Sequence, residues 1–266
     1  MLQNFLIFLA VVIGLIGLVT LGFVIAPRPF RPHPAPSQPG EPRPLPPDLP
    51  EPVRRHFEAI SGDTLPEMHT AVIWGRGRAK IRGVWLPLRF KTWYQIGRGF
   101  YTRMEITWFQ RPVMRARESF HREVGVRETG GSEERGPQID QANRMLMWAN
   151  SLWMPAALVH EPAARWVPID EVTARLVFGE GDAQDSLLFH FDPETGCVTH
   201  ITGRRYGAEA EDKQDWRVDL LAWKVIHDLN LPCHTSVSWG EAGSPWSYWN
   251  VDGVVYNVSV ADHLGE

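Results

Sequence analysis

Residues 227–234 read HDLNLPCH, with two histidines, a cysteine and an aspartate in eight positions, all of them zinc-ligand types. Zinc held by such side chains activates water or polarises a carbonyl, so the stretch raises a metal-dependent hydrolase. A closed four-coordinate site needs a second ligand cluster. The sequence has none with ligand spacing, and no H-E-x-x-H pair. His227 and His234 are the candidate ligands and would have to converge across a hairpin, while Cys233 points away from His234 on a strand. The polar run also lies between two apolar runs, where turn residues belong. A hairpin accounts for it without metal, and no cofactor is expected.

Other chemistry is equally thin. The sequence carries no phosphate-binding loop, no G-x-S-x-G and no dinucleotide fingerprint. The Asp, Ser and His of DAQDSLLFHFD are a triple of the kind chance supplies in a chain this long. The expectation is therefore a protein that binds and does not catalyse.

Three kinds of material make up the 266 residues. Residues 5–26 are 22 positions without a charge, enough to cross a bilayer core as a helix. A cleaved signal peptide is the competing reading; the absent basic n-region, the run length and Pro27 count against it. Residues 1–26 are thus expected to form a transmembrane anchor of a single-pass membrane protein. Arg28 and Arg31 after it favour a cytoplasmic domain, but long domains override that bias and an extracytoplasmic placement stays open. Residues 27–52 hold 12 prolines and are expected to form a polyproline spacer reaching roughly 80 Å. Residues 53–266 have the size of one domain, rich in tryptophan, and their Cys197 and Cys233 are too few for a disulfide scaffold.

That domain opens with a short helix, PVRRHFEAISG, whose Val53, Phe57 and Ile60 share a face before Gly62 ends it. Period 2 then dominates. Arg76, Arg78, Lys80 and Arg82 alternate with Gly75, Gly77, Ala79 and Ile81. Phe90 belongs to an apolar face opposite Arg89 and Lys91. Phe100, Met104, Ile106 and Trp108 oppose Arg103 and Glu105. Met114, Ala116 and Phe120 oppose Arg115 and Arg117, and by that parity Glu118 points inward. One helical interruption, PQIDQANRMLMWANSLWMPAAL, repeats apolar residues at 139, 142, 146, 149 and 153 between Pro137 and Pro155.

These patterns predict an α+β domain, mainly β: a curved antiparallel half-barrel of about ten strands with a helix in its concave face. A cavity there would be lined by Phe90, Met104, Ile106, Trp108, Met114, Glu118, Phe120, Met145, Trp148 and Trp153, the methionines letting it adapt. A solid core packed with the same residues fits the pattern as well, and would leave an envelope interaction module docking an unknown protein partner. Residues 76–122 carry 12 Lys/Arg against two acids, which fits anionic lipid headgroups or, more simply, solvated outer strand faces. The net charge of −4 and the absence of a stacking motif argue against nucleic acid.

The order helix, strands, helix, strands, with VDLLAWKVIHDLNLPCHTSVSW, resembles lipoprotein-carrier (Lol-type) half-barrels. WMPAALV, RWVPIDEVTARLVF and FHFDPETGCVTHITGRRY resemble an uncharacterised bacterial domain-of-unknown-function family. The resemblance implies an open curved sheet, helices on its concave side and an apolar ligand such as an acyl chain. It supplies no catalytic residues.

Overall fold

Alternating apolar and polar residues draw nearly half of the chain into strands, and the computed structural model describes residues 1–38, 40–207, 210–240 and 243–264. Helix α1 (Leu2–Val24) is exposed, uninterrupted by charge and about 35 Å long, sufficient to cross a membrane. A two-stranded ribbon of β1 (Pro42–Pro44) and β2 (Thr64–Pro66) flanks α2 (Glu51–Ser61). The first meander follows: β3 (Thr70–Ile81), β4 (Val84–Gln95), β5 (Gly99–Trp108), β6 (Arg111–His121), β7 (Val124–Thr129) and β8 (Ser132–Glu134).

The chain then crosses the concave face through α3 (Pro137–Asn150), a 3₁₀ turn at Ser151–Trp153 and α4 (Pro155–His160). It returns by β9 (Ala164–Pro168), β10 (Thr173–Phe178), β11 (Asp185–Phe191), β12 (Val198–Tyr206), β13 (Lys213–Ile226), β14 (Leu229–Trp239) and β15 (Ser247–Tyr256), ending in α5 (Ala261–Leu264). Among the described residues 13 strands form one antiparallel sheet, open at β8 and β9 and joined in the middle by β3 pairing with β15. The half-barrel class is as predicted, with more strands than the ten expected. The surplus arises because short edge strands such as β8 and β9 lack room for a recognisable alternation.

Five hairpins close through two residues that both have positive φ: Arg82–Gly83, Phe109–Gln110, Arg122–Glu123, Gly130–Gly131 and His227–Asp228. This is the type I′ geometry whose twist matches the flanking strands. The pair His227–Asp228 turns β13 into β14, so the ligand-rich stretch is a hairpin.

α3 is held to both wings of the sheet. Asn143 Nδ2 donates to the Ser119 carbonyl at 2.9 Å on β6, and Asp140 Oδ1 accepts the Gly125 N–H at 2.6 Å on β7. On the other wing Gln141 donates to the Arg204 carbonyl and accepts the Tyr206 N–H, pairing the stretch of β12 that runs past the start of β11. Gly203 on β12 gives α3 its close approach. A Cβ there would lie 2.7 Å from Met145 Cε.

The proline-rich segment lies along the convex face and does not stand clear as a spacer. A polyproline chain leaves its carbonyls free, and the sheet uses them. Lys91 Nζ donates to the Arg31 carbonyl at 2.9 Å and Asn257 Nδ2 to the Gln38 carbonyl at 2.9 Å, while Ser37 Oγ accepts the Tyr256 N–H. On the same face Glu105 is 1% exposed beneath Arg89 (2.6 Å), Arg103 (2.5 Å) and Arg115 (3.5 Å). Arg76 pairs with Asp252 at 2.8 Å. Part of the basic stripe read from the sequence is thus paired with carboxylates within the fold.

α2 covers one end of the concave face with Val53, Phe57 and Ile60, all buried as predicted. His56 is buried with them, its Nδ1 3.2 Å from the Gly196 carbonyl. Burial pushes its imidazole down to about 4, against a smaller upward pull from that carbonyl. The folded state therefore rejects a proton that the unfolded chain accepts near 6.5. The stabilisation is complete above that value and is lost as pH falls from 6.5 towards 4. Going from pH 7 to 5.5 is expected to cost about 1 kcal/mol. Denaturant titrations at both values should show it, and His56→Leu should flatten the slope; an unchanged slope in the variant refutes the assignment.

Candidate functional site

The end of the concave face away from α2 is not filled. A cavity of about 380 Å³ lies beneath α3, within the range of roughly 300–1,000 Å³ usual for small-molecule sites. Strand parity builds its walls. Ile73, Phe90, Met104 and Val251 come from the middle of the sheet. Trp216, Trp239, Trp246 and Trp249 form an aromatic wall from β13 to β15. The helix side supplies Leu146, Asn150 and Trp153, one stripe at 3–4 spacing.

The polar groups gather at two places. Tyr94 accepts a hydrogen bond from Asn150 Nδ2 at 2.7 Å, and the Thr92 and Thr102 hydroxyls pair at 2.9 Å. Glu118, Arg127 and Arg205 line another part. Arg127 Nε donates to Glu118 Oε1 at 3.2 Å. Arg205 lies against the rings of Trp216 and Trp239, at 5.0 and 5.8 Å from their centroids.

Of the residues singled out from the sequence, Phe90, Met104, Glu118 and Trp153 line the cavity. Phe120, Met145 and Trp148 are buried in the apolar core beside it. Trp148 stacks on Phe178 at 5.5 Å and Met145 fills the space over Gly203, because both sit on the helix stripe next to that of Leu146 and Asn150. Ile106 and Met114 face each other across β5 and β6, in the core or packed against it.

Trp108 lies elsewhere. The ladder slips between Ile106 and Thr107, and past that bulge strict alternation no longer applies. Trp108 instead packs on α1, where its Nε1 donates to the Val19 carbonyl at 3.1 Å. The Phe109 N–H donates to the Gly22 carbonyl at 3.0 Å, so this hairpin tip satisfies one of the carbonyls left open at the helix end.

His227 and His234 do not converge. His227 sits in the turn with Nε2 2.9 Å from the Val254 carbonyl, whereas His234 is opposite Ala222, roughly 15 Å of strand away. Among the described residues no three His, Cys, Asp or Glu side chains gather as a metal-binding group, and Cys197 and Cys233 are both free.

The aromatic wall and Arg205 are absent from the residues chosen in the sequence. Parity carries the signal for Arg205, which shares a strand face with the buried Ile201 and with Gly203.

A family described as of unknown function (DUF6544) matches residues 41–251. No curated protein matches the chain. Several solved structures are similar in fold. A DUF1329 family protein from Desulfovibrio piger is 10% identical, with a TM-score of 0.45 over 75% of this chain and 90% of that one. A putative outer membrane lipoprotein-sorting protein domain from Vibrio parahaemolyticus is 8% identical, with a TM-score of 0.42 over 80% and 93%. A LolA superfamily protein from Nitrosomonas europaea is 9% identical, with a TM-score of 0.45 over 81% and 96%.

Proposed function

The chain belongs to DUF6544, a family of unknown function, and we propose that it is a membrane-anchored protein whose half-barrel holds an apolar, lipid-like ligand without transforming it. The observation that carries this reading is the cavity itself. Four tryptophans wall it, a helix tied to both wings roofs it, and its polar groups are few and clustered. An apolar pocket with a small set of convergent polar groups is the common form of a ligand site. Its described lining contains no serine, cysteine or histidine, and the hydroxyls of Thr92 and Tyr94 are engaged, Thr92 with Thr102 and Tyr94 with Asn150. α1 serves as the anchor, with Trp108 against its last turns, the level at which tryptophan is enriched in membrane proteins.

Val237 is 9% exposed and faces the cavity. In the full chain held in amphipol, a neutral fluorescent apolar probe such as Nile red should bind and quench tryptophan emission. Val237→Trp fills the space and is expected to weaken that binding by at least about tenfold, with the far-UV spectrum unchanged. A wild-type protein that takes up no probe would refute the reading and favour an interaction module.

A further inference from the structure

Arg205 is 6% exposed, and no hydrogen bond or ion pair reaches its guanidinium from the described residues. Its Nε is fully buried without an acceptor. The one carboxylate in the cavity lining, Glu118, is already engaged by Arg127, whose Nη1 is also buried without a hydrogen bond and lies 3.6 Å from the half-exposed Glu134. Arg127 is thus matched by Glu118 and Glu134, whereas Arg205 has no carboxylate in contact among the described residues and feels Glu118 only at a distance, which leaves its charge without a direct partner in the apolar chamber. A buried, unmatched cation is strongly unfavourable unless something supplies the counter-charge. The stacking on Trp216 and Trp239 fixes the plane of the group and supplies no acceptor.

Resting on the reading of the cavity as an apolar-ligand site, we propose that Arg205 receives the acidic head of the ligand, a carboxylate or a phosphate monoester, whose single chain lies along the tryptophan wall. A planar fork of donors suits either oxyanion. The ligand class is therefore an acyl or alkyl chain ending in an anion, such as a free fatty acid or a lysophospholipid-like phosphate. Neutral chains would leave the guanidinium unsatisfied and are discriminated against.

Displacement of Nile red from the full chain in amphipol tests this with three probes of equal chain length: laurate, dodecyl phosphate and dodecanol. The two anions are expected to displace the dye at concentrations at least about tenfold below that of the alcohol. The stronger of the two identifies the headgroup. Arg205→Met should abolish the preference and leave dodecanol unchanged, while Arg205→Lys keeps part of it. Equal displacement by anions and alcohol in the wild type would overturn the headgroup assignment and leave the cavity reading standing. Failure of the dye to bind at all would remove the cavity reading, and this assignment with it.

Discussion

Glu105→Ala is expected to destabilise the protein by about 3 kcal/mol. The carboxylate is buried on the convex face and is shared by Arg89, Arg103 and Arg115. Removing one member of a buried ionic cluster leaves the others uncompensated, a loss of roughly 3–5 kcal/mol. Arg103 and Arg115 reach solvent, which screens their charges and keeps the loss at the lower end of that range. In a domain this size the change corresponds to a fall in Tm of roughly 6–12 °C.

The cluster also holds the proline-rich strap, since Arg89 and Arg103 both lie over the Phe30 ring at 4.7 and 5.2 Å. The variant should therefore be cut faster by protease between residues 27 and 40 than the wild type. Burial alone would raise the Glu105 carboxyl, but the hydrogen bonds and charges of Arg89 and Arg103 outweigh it and hold the group below its ordinary value. The stabilisation is thus present above the ordinary carboxylate value and fades as pH falls through the lowered one, so the two proteins should converge in strong acid. A loss below about 1 kcal/mol at neutral pH would mean that solvent already screens the cluster.

The reverse sign is expected at Arg205. Burial pushes its guanidinium down to about 10, so the group is still charged at neutral pH. Arg205→Met removes an unmatched buried cation, keeps an unbranched side chain against the tryptophans and leaves Glu118 paired with Arg127. The lost stacking is worth about 1–2 kcal/mol, less than the several kcal/mol that burying a charge takes. The ligand-free variant is expected to gain about 2 kcal/mol, read as a higher denaturation midpoint. A less stable variant would show that some partner neutralises Arg205 in the empty protein. Gain in stability with loss of ligand preference would mark Arg205 as a residue retained for recognition.

Much of this architecture was readable because two periodicities compete cleanly in the chain. The helical spacing of 139, 142, 146, 149 and 153 between two prolines located α3, and parity placed Glu118 and Phe90 in the cavity. Parity failed where the ladder slips, as at Trp108, because a bulge is a backbone event without a side-chain signature. It was also silent on which inward residues meet the void and which meet the helix. Met145 and Leu146 are neighbours in sequence, and only the rotation of α3 puts one in the core and the other at the cavity. The place of the proline-rich segment was not legible for a related reason: composition shows that it cannot build a core, but not that a neighbouring sheet can capture its carbonyls.

The join between β3 and β15 governs how the molecule can be made. Arg76 and Asp252, which pair across it, are 176 positions apart in sequence. β3 is the first long strand to emerge and waits for almost the whole chain before its second neighbour exists. Loop closure over such a span is slow, and until then one side of β3 is an open edge able to pair with another nascent chain. Its Arg76, Arg78 and Lys80 repel a second copy of the same strand during that interval. Truncation anywhere before Ser247 would leave this edge permanently unprotected.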